Sequence, residues 1–437
     1  MKKYDRMKDS GYPWMGEIPS HWRDINPKAL FTQRKERAKE GERQLTASQQ
    51  YGVLYQDEYM SLTGSRVVVV QKDFDILKHV EAGDFVISMR SFQGGIEYSP
   101  VSGSISSAYV MLIPNKELVY PPFYRWLLKS SAYIRALQST TDLVRDGQAM
   151  RYSNFAKVRL LVAPLEEQRA IAAYLDDKVG QINSIIEEEK ASIEEYKQWK
   201  AAIISEMVLG FNTCHSKKRS GVEWIDEIPS NWEIVRLKTL FSFGKGLPIT
   251  KEDLVEEGVP VISYGQIHSK SNPGTRIVDG LIRYVPDTYL QSNPDSLVNN
   301  GDILIADTSE DIDGCGNAVY VDKEMALFAG YHTIILRSKN GTNNKYLSYL
   351  FKSDAWRSQI RTRVSGVKLF SVSKKILNLV SVVLPPFSEQ TAIVNELDKK
   401  CSEIDAIITE KESLMSDLEQ FKRALIYDTV TGKRKVV

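Results

Sequence analysis

The chain has 437 residues, more than one ordinary core serves, and its 42% apolar and 26% charged content is that of a soluble globular protein. It has no run of 18 apolar residues, no apolar stretch after the Met1-Lys2-Lys3 start, and only three scattered cysteines; a membrane span, a signal peptide and a disulfide framework are therefore not expected, and a cytoplasmic setting is. A net charge of +1, from 57 basic and 56 acidic residues, excludes a uniformly basic nucleic-acid binder but leaves room for local patches.

In chain order, residues 10–22 read SGYPWMGEIPSHW. Trp14, a large aromatic beside an Ile-Pro turn, is expected to anchor the core, as is its counterpart Trp224 in the second copy. Strands rich in β-branched residues are predicted at 67–70, 84–88 and 109–113. A glycine-bearing loop at 90–95 follows the second of them. The apolar positions of 122–137 predict one helix. Residues 147–165 carry no acid but contain Arg151, Lys157 and Arg159.

Residues 164–176, PLEEQRAIAAYLD, open a long helical pattern. Its apolar seam is Ile171, Leu175, Ile182, Ile186, Ile193, Tyr196, Ile203 and Met207, spaced by fours, sevens and a three, as in a heptad stripe. Glu167 and Gln168 at its start read as capping and packing groups.

The plan then repeats. Residues 220–232 read SGVEWIDEIPSNW, 210 residues after the first block and identical at eight of thirteen positions. Strands are expected at 303–305 and 333–336, a loop at 307–316 and one helix at 346–360. Residues 355–388 contain Arg357, Arg361, Arg363, Lys368, Lys374 and Lys375 and no acid. Residues 386–398, PFSEQTAIVNELD, lie 222 after their counterpart and open a second seam of Ile393, Leu397, Ile404, Ile408, Met415, Leu418 and Leu425. Forty helical residues span roughly 60 Å, and a stripe so long and narrow calls for a partner. The simplest partner is the other helix, antiparallel if a two-fold axis relates the copies; the alternative is that each helix packs on its own domain.

No catalytic constellation emerges. Tyr120-Pro121-Pro122-Phe123 lacks the leading Asn or Asp of an amino-methyltransferase motif. There is no phosphate-binding P-loop, and His21, His79, His215, His268 and His332 show no metal spacing.

The blocks Trp-x-Gly-Glu-Ile-Pro-x-x-Trp and Pro-Pro-Leu-x-Glu-Gln-x-x-Ile, each present twice and each trailed by a long helix, resemble the specificity subunit of type I restriction–modification systems over nearly the whole chain. Asp226 replaces Gly16 in the second copy and Ala163 replaces the first proline in the first. The resemblance implies an α+β chain: two mixed α/β target recognition domains, at 1–163 and 211–385, joined by two long antiparallel spacer helices, at 164–210 and 386–437, with an internal pseudo-two-fold repeat. It implies a non-catalytic subunit that defends against foreign DNA by reading a bipartite, asymmetric double-stranded site, one half per domain. Two modification (methyltransferase) subunits and the restriction (translocase and nuclease) subunits would dock on it. S-adenosylmethionine, ATP and Mg are expected on those partners, with no cofactor or metal in this chain. Arg90, Gln93, Gln266 and His268 are expected to read bases, and Arg145, Arg151, Arg361, Arg363 and Lys368 to contact phosphates. Ile171, Leu175, Ile182, Ile186, Ile393, Leu397, Ile404 and Ile408 are expected at the helix seam or partner interface. The competing readings are a coiled-coil scaffold that does not touch DNA, and a self-sufficient DNA methyltransferase or nuclease.

Overall fold

The computed structural model describes residues 3–67, 76–140, 150–339, 341–366 and 368–436. The expected strand at 67–70 falls, from Val68 on, outside them, as does Arg145. The chain forms two compact units: Met1–Lys190 with Glu412–Val437, and Ala191–Lys411.

The first unit is built on a four-stranded antiparallel sheet. Its strands β1 (Phe31–Arg34), β2 (Phe85–Ile87), β3 (Glu97–Tyr98) and β4 (Val110–Pro114) lie in the order β1-β4-β2-β3. Every residue of β2 is buried, which explains its unbroken apolar run. Phe31, Phe85 and Leu112 share one core with Phe123, Tyr124, Leu127, Tyr133 and Leu137. Those last residues belong to two helices, α1 (Pro121–Leu127) and α2 (Ser131–Gln138), where one had been expected. The break has no Gly or Pro. Ser130 makes it, accepting from the Tyr133 N–H as N-cap while its hydroxyl donates to the Leu127 carbonyl.

The second unit repeats this topology. Strands β5 (Phe241–Phe243), β6 (Ile303–Ala306), β7 (Ala318–Tyr320) and β8 (Thr333–Ser338) lie in the order β5-β8-β6-β7, again antiparallel. The expected helix is again two, α4 (Asn344–Leu350) and α5 (Asp354–Arg361), split by the N-cap Ser353. The copies diverge outside this frame. The second unit adds a mixed sheet of Arg283–Val285, Val259–Ile262, Leu327–Ala329 and Leu297–Val298, whereas the first carries the pair Lys78–Val80/Gly103–Ile105 and the hairpin Leu45–Ser48/Gly52–Tyr55.

The long helices are α3 (Leu165–Val208) and α6 (Phe387–Val430), and each contributes one part to each unit. In the first unit Tyr174 meets Arg434 and Asn183 meets Lys422, so the chain directions oppose. In the second, Tyr196 lies under Lys411 and Lys200 pairs with Asp405, in the same antiparallel sense. Ile171, Leu175, Ile182 and Ile186 are buried in one core with Leu425, and Leu397 and Ile404 are buried in the second unit. The seam shifts by one residue where helix meets domain. Ile204, Val208 and Val394 are buried there, while Ile203, Met207 and Ile393 are only half-buried, as is Ile408. A heptad stripe drifts around a 3.6-residue helix, and these turns face Trp232 and Leu237 in a globular core.

The aromatic anchors are not Trp14 and Trp224, which are half-buried, but Trp22 and Trp232, which are fully buried. The Trp22 indole N–H donates to Glu167 Oε2 (3.0 Å), and that of Trp232 to Glu389 Oε2 (2.8 Å). Burial alone would raise the Glu167 carboxyl, but hydrogen bonds from Tyr4, His21 and Trp22 outweigh it and hold it below the ordinary glutamate value. Gln168 Nε2 donates to the Ala163 and Leu118 carbonyls, and its Oε1 accepts from the Tyr120 N–H. Gln390 repeats two of these bonds, to the Pro385 carbonyl and from the Asn343 N–H. Each Glu-Gln pair therefore ties the start of a long helix to its domain.

The other side of each tryptophan meets the end of the other long helix. Gly210, at φ +71°, lies so close that an added Cβ would stand 2.5 Å from Pro229 Cγ and 3.0 Å from Trp232 Cζ3. Gly432, at φ +72°, stands in the same relation to Pro19 and Trp22.

Gly210→Ala should combine left-handed strain of about 1 kcal/mol with overpacking of about 1–3 kcal/mol. Gly221→Ala, at φ +75° with open space around it, carries the strain alone. Chemical denaturation of the two variants should show the first losing clearly more stability; equal losses would mean that the close approach to Trp232 is immaterial.

Candidate nucleic-acid interface

In both units a central strand of the sheet ends in a loop whose residues differ between the copies. After β2, residues 88–95 turn sharply. The Ser88 N–H donates to Ser91 Oγ, and Gly95, at φ +85°, sits where a Cβ would press on the Leu128 carbonyl. This turn leaves Met89, Arg90 and Gln93 exposed. Gln49, from the turn between Leu45–Ser48 and Gly52–Tyr55, lies beside them. Its Nε2 is 3.4 Å from the Arg90 carbonyl and 3.5 Å from Gln93 Oε1. The exposed Gln50 and Tyr51 continue that turn. Sequence reading found Arg90 and Gln93 and missed 49–51, whose one signal is a polar Gln-Gln-Tyr-Gly turn between β-branched stretches.

A buried ion pair supports the cluster. Glu97 on β3 accepts from Lys129 Nζ with both oxygens (2.9 and 2.7 Å), and the same ammonium donates to the Gln49 carbonyl (2.8 Å). Burial outweighs the pull of Lys129 and pushes the Glu97 carboxyl up to about 7.

In the second unit β6 runs into residues 307–317. Thr308–Ser309 pairs with Phe370–Ser371, which brings the exposed Lys368 to the edge of this loop. Asp311 Oδ1 accepts from the Gly314 N–H, closing the turn, and residues 310–313 are exposed. The tip is acidic where the first unit offers Arg90. Sequence reading placed this loop at 307–316 but named none of Glu310, Asp311 and Asp313, whose signal is the clustering of acids at its tip.

Gln266 and His268 come together on and just after the short helix Tyr264–Ile267. Gln266 Oε1 accepts from the Ser263 N–H (3.1 Å). His268 Nδ1 lies 3.0 Å from the Asn317 side-chain amide and Nε2 2.8 Å from the Thr308 carbonyl. The network makes Nε2 the protonated nitrogen and commits the ring to holding the 308–317 loop. Arg361 pairs with Asp354 and approaches Asp313, and the exposed Arg363 donates to the Gln359 carbonyl. The exposed Arg151 is N-cap to Tyr152–Phe155, in the position that Ser373 takes before Lys374–Leu379.

Among the described residues no group of three His, Cys, Asp or Glu side chains could hold a metal, and no helix is long and apolar enough to cross a membrane. Cys214, Cys315 and Cys401 are all free.

Comparison with known proteins places the chain in a consistent setting. The family model for the type I restriction modification DNA specificity domain matches residues 229–414. The type I restriction enzyme MjaVIII specificity subunit of Methanocaldococcus jannaschii is 22% identical over 388 residues, 87% of this chain and 83% of its own. The type I restriction enzyme EcoKI specificity subunit of Escherichia coli K12 is 21% identical over 211 residues, 47% of this chain and 44% of its own. Among solved structures, a chain from a study of complex assembly and conformational transition of the type I R-M system superposes with a TM-score of 0.73 at 17% identity, covering 94% of this chain and 98% of that one. The HsdS subunit from Thermoanaerobacter tengcongensis gives a TM-score of 0.54 at 16% identity, covering 95% and 98%.

The Glu97 carboxyl yields a pH prediction for the first unit. Its folded value is above the 4.5 of the free side chain, so the folded state holds the proton longer and stability falls as pH rises from about 4.5 through about 7. The loss is on the order of 2 kcal/mol. Melting wild type and Glu97→Gln at pH 5 and pH 8 should show the wild type losing more between the two; parallel losses would contradict this.

Proposed function

The chain belongs to the specificity subunits of type I restriction–modification systems, and on that premise we propose that each unit reads one half of a bipartite, asymmetric DNA site while the repeated frame docks two like modification subunits. The observation that supports this reading is one sheet topology carried twice, with chemically opposite loops at the same strand end. Arg90 and Gln93 offer the side-chain types that pair bidentately with guanine and adenine in the major groove. Glu310, Asp311 and Asp313 would accept from cytosine amino groups, and Gln266 keeps its amide N–H groups for a base acceptor. His268 then serves by positioning the loop. Lys368, Arg363, Arg361, Arg151 and Arg145 are assigned to phosphates, which set register without carrying sequence.

Docking is assigned to the helices. Trp199 and Phe421 are 54% and 51% exposed, and they stand 222 residues apart, the offset that relates the two helix starts. One belongs to each unit. Exposed aromatics at equivalent positions suit two copies of one partner. The chain would itself carry no catalysis. S-adenosylmethionine chemistry belongs on the modification subunits, and ATP and Mg on the restriction subunits that join that core.

Co-expression with the modification subunit, followed by mapping of methylated bases, tests the reading. A motif of two unlike half-sites around a fixed gap is expected. Arg90→Ala with Gln93→Ala should relax one half only, by about 1–3 kcal/mol per lost bidentate contact. An unsplit motif, or relaxation in both halves, would contradict it. Separately, Trp199→Glu and Phe421→Glu should each reduce the modification subunits bound from two to one by native mass, and together to none; two bound in the double variant would contradict the docking assignment.

A further inference from the structure

The second unit holds a partly open cavity of about 280 Å³ lined by Lys270, Asn272, Asn317, Lys352 and Arg357, with His268 at its wall. Lys352 and Arg357 both reach into it. The Lys352 ammonium donates to the Pro273 carbonyl (2.7 Å) and, among the described residues, forms no ion pair with a carboxylate. Arg357 Nε donates to the Phe351 carbonyl (2.9 Å), and its Nη1 lies 3.4 Å from the Asp313 carbonyl. The Lys352 head is almost wholly enclosed by protein, and the residue lines the cavity. Lys270 adds a third cation and is exposed. Among the described residues no Asp or Glu lines the cavity.

Two enclosed cations without a counter-charge are unfavourable, each raising the cost of the other. The strain shows in their protonation. Burial, then Lys200 and Arg357, lowers the Lys352 ammonium to about 8, against the opposing pull of Cys401 and Asp405. Burial and Arg361 lower Arg357 to about 10, against Asp354 and Asp313. Both His268 ring nitrogens are already engaged, by the Thr308 carbonyl and the Asn317 amide. What the site lacks is an anion. Its lining of cations and side-chain amides, in a small volume, suits a tetrahedral oxyanion with a few waters. The first unit treats the equivalent position differently: Lys129, which precedes the N-cap Ser130 as Lys352 precedes Ser353, is paired with Glu97.

We propose that this cavity binds one phosphate group through Lys352 and Arg357. The group could be a backbone phosphodiester of bound DNA or free phosphate; the chemistry is shared, and experiment separates the sources. The site stands apart from half-site reading, because its occupant needs no sequence.

The test uses the full chain and inorganic phosphate. Titration calorimetry and thermal melting at matched ionic strength should show phosphate binding and stabilisation in wild type, lost in Lys352→Met and weakened at least tenfold in Arg357→Gln. Lys352→Met keeps the aliphatic stem and removes a buried charge, so it should fold. As a measurement free of variants, phosphate should slow acylation of Lys352 in wild type, read by mass spectrometry, while the exposed Lys217 is unaffected. Equal stabilisation of wild type and Lys352→Met, or an unchanged acylation rate at Lys352, overturns the proposal. With a random duplex, a log K against log salt slope shallower by ~0.9 in Lys352→Met assigns the phosphate to the DNA backbone. An unchanged slope beside intact phosphate binding assigns it to free phosphate.

Discussion

The structure depends on the two buried tryptophans, Trp22 and Trp232. Each closes a three-way junction. One side of the indole carries the Ile-Pro turn of its own motif, its N–H reaches the glutamate that starts the following long helix, and its ring lies against the glycine that ends the other. A charge-assisted hydrogen bond and a buried aromatic of this size are each worth kilocalories. The consequence is topological: neither unit is complete without a helix end from the other copy. In the first unit Lys433 donates to the Met15 carbonyl, so the last residues of the chain seal the first motif.

That arrangement accounts for what is repeated and what is not. The Trp-Glu-Gly junction, the serine-capped helix pair and the tyrosine that bonds the last strand (Tyr124 to Leu161, Tyr346 to Val383) recur in both units. They form a closed frame with few tolerated changes. The loops after β2 and β6 hang from the frame's rigid strands and carry none of its junctions, so they can change chemistry freely: arginine and glutamine in one, carboxylates in the other.

Much of this was legible in the sequence. The duplicated blocks, the helix seams and the strand at 84–88 were plain, because period and repetition are local signals. The single-helix reading of 122–137 failed because Ser130 breaks it by side-chain capping, where no Gly or Pro marks the spot. The role of Trp22 was not legible, because residue type alone does not tell which of two nearby tryptophans faces the core; the answer lies in a hydrogen bond to a residue 145 positions away. Ile203 and Ile393 were read one position off, since the seam there is set by a globular core and not by the partner helix. In the candidate interface, His268 was legible as a loop residue, but its role depends on Asn317 and Thr308. Gln49 was invisible, because it joins Arg90 and Gln93 only through the fold.

The account's central claim is that the frame and the readers are separable, and exchange of one reader tests it most directly. Residues 23–163 would be replaced by those of another specificity subunit, leaving both Trp motifs and both long helices untouched, and the methylated motif mapped in cells that supply the modification subunit. The account predicts that one half of the motif changes while the other half and the gap between them stay as they were. A change in both halves, or in the gap, would contradict it.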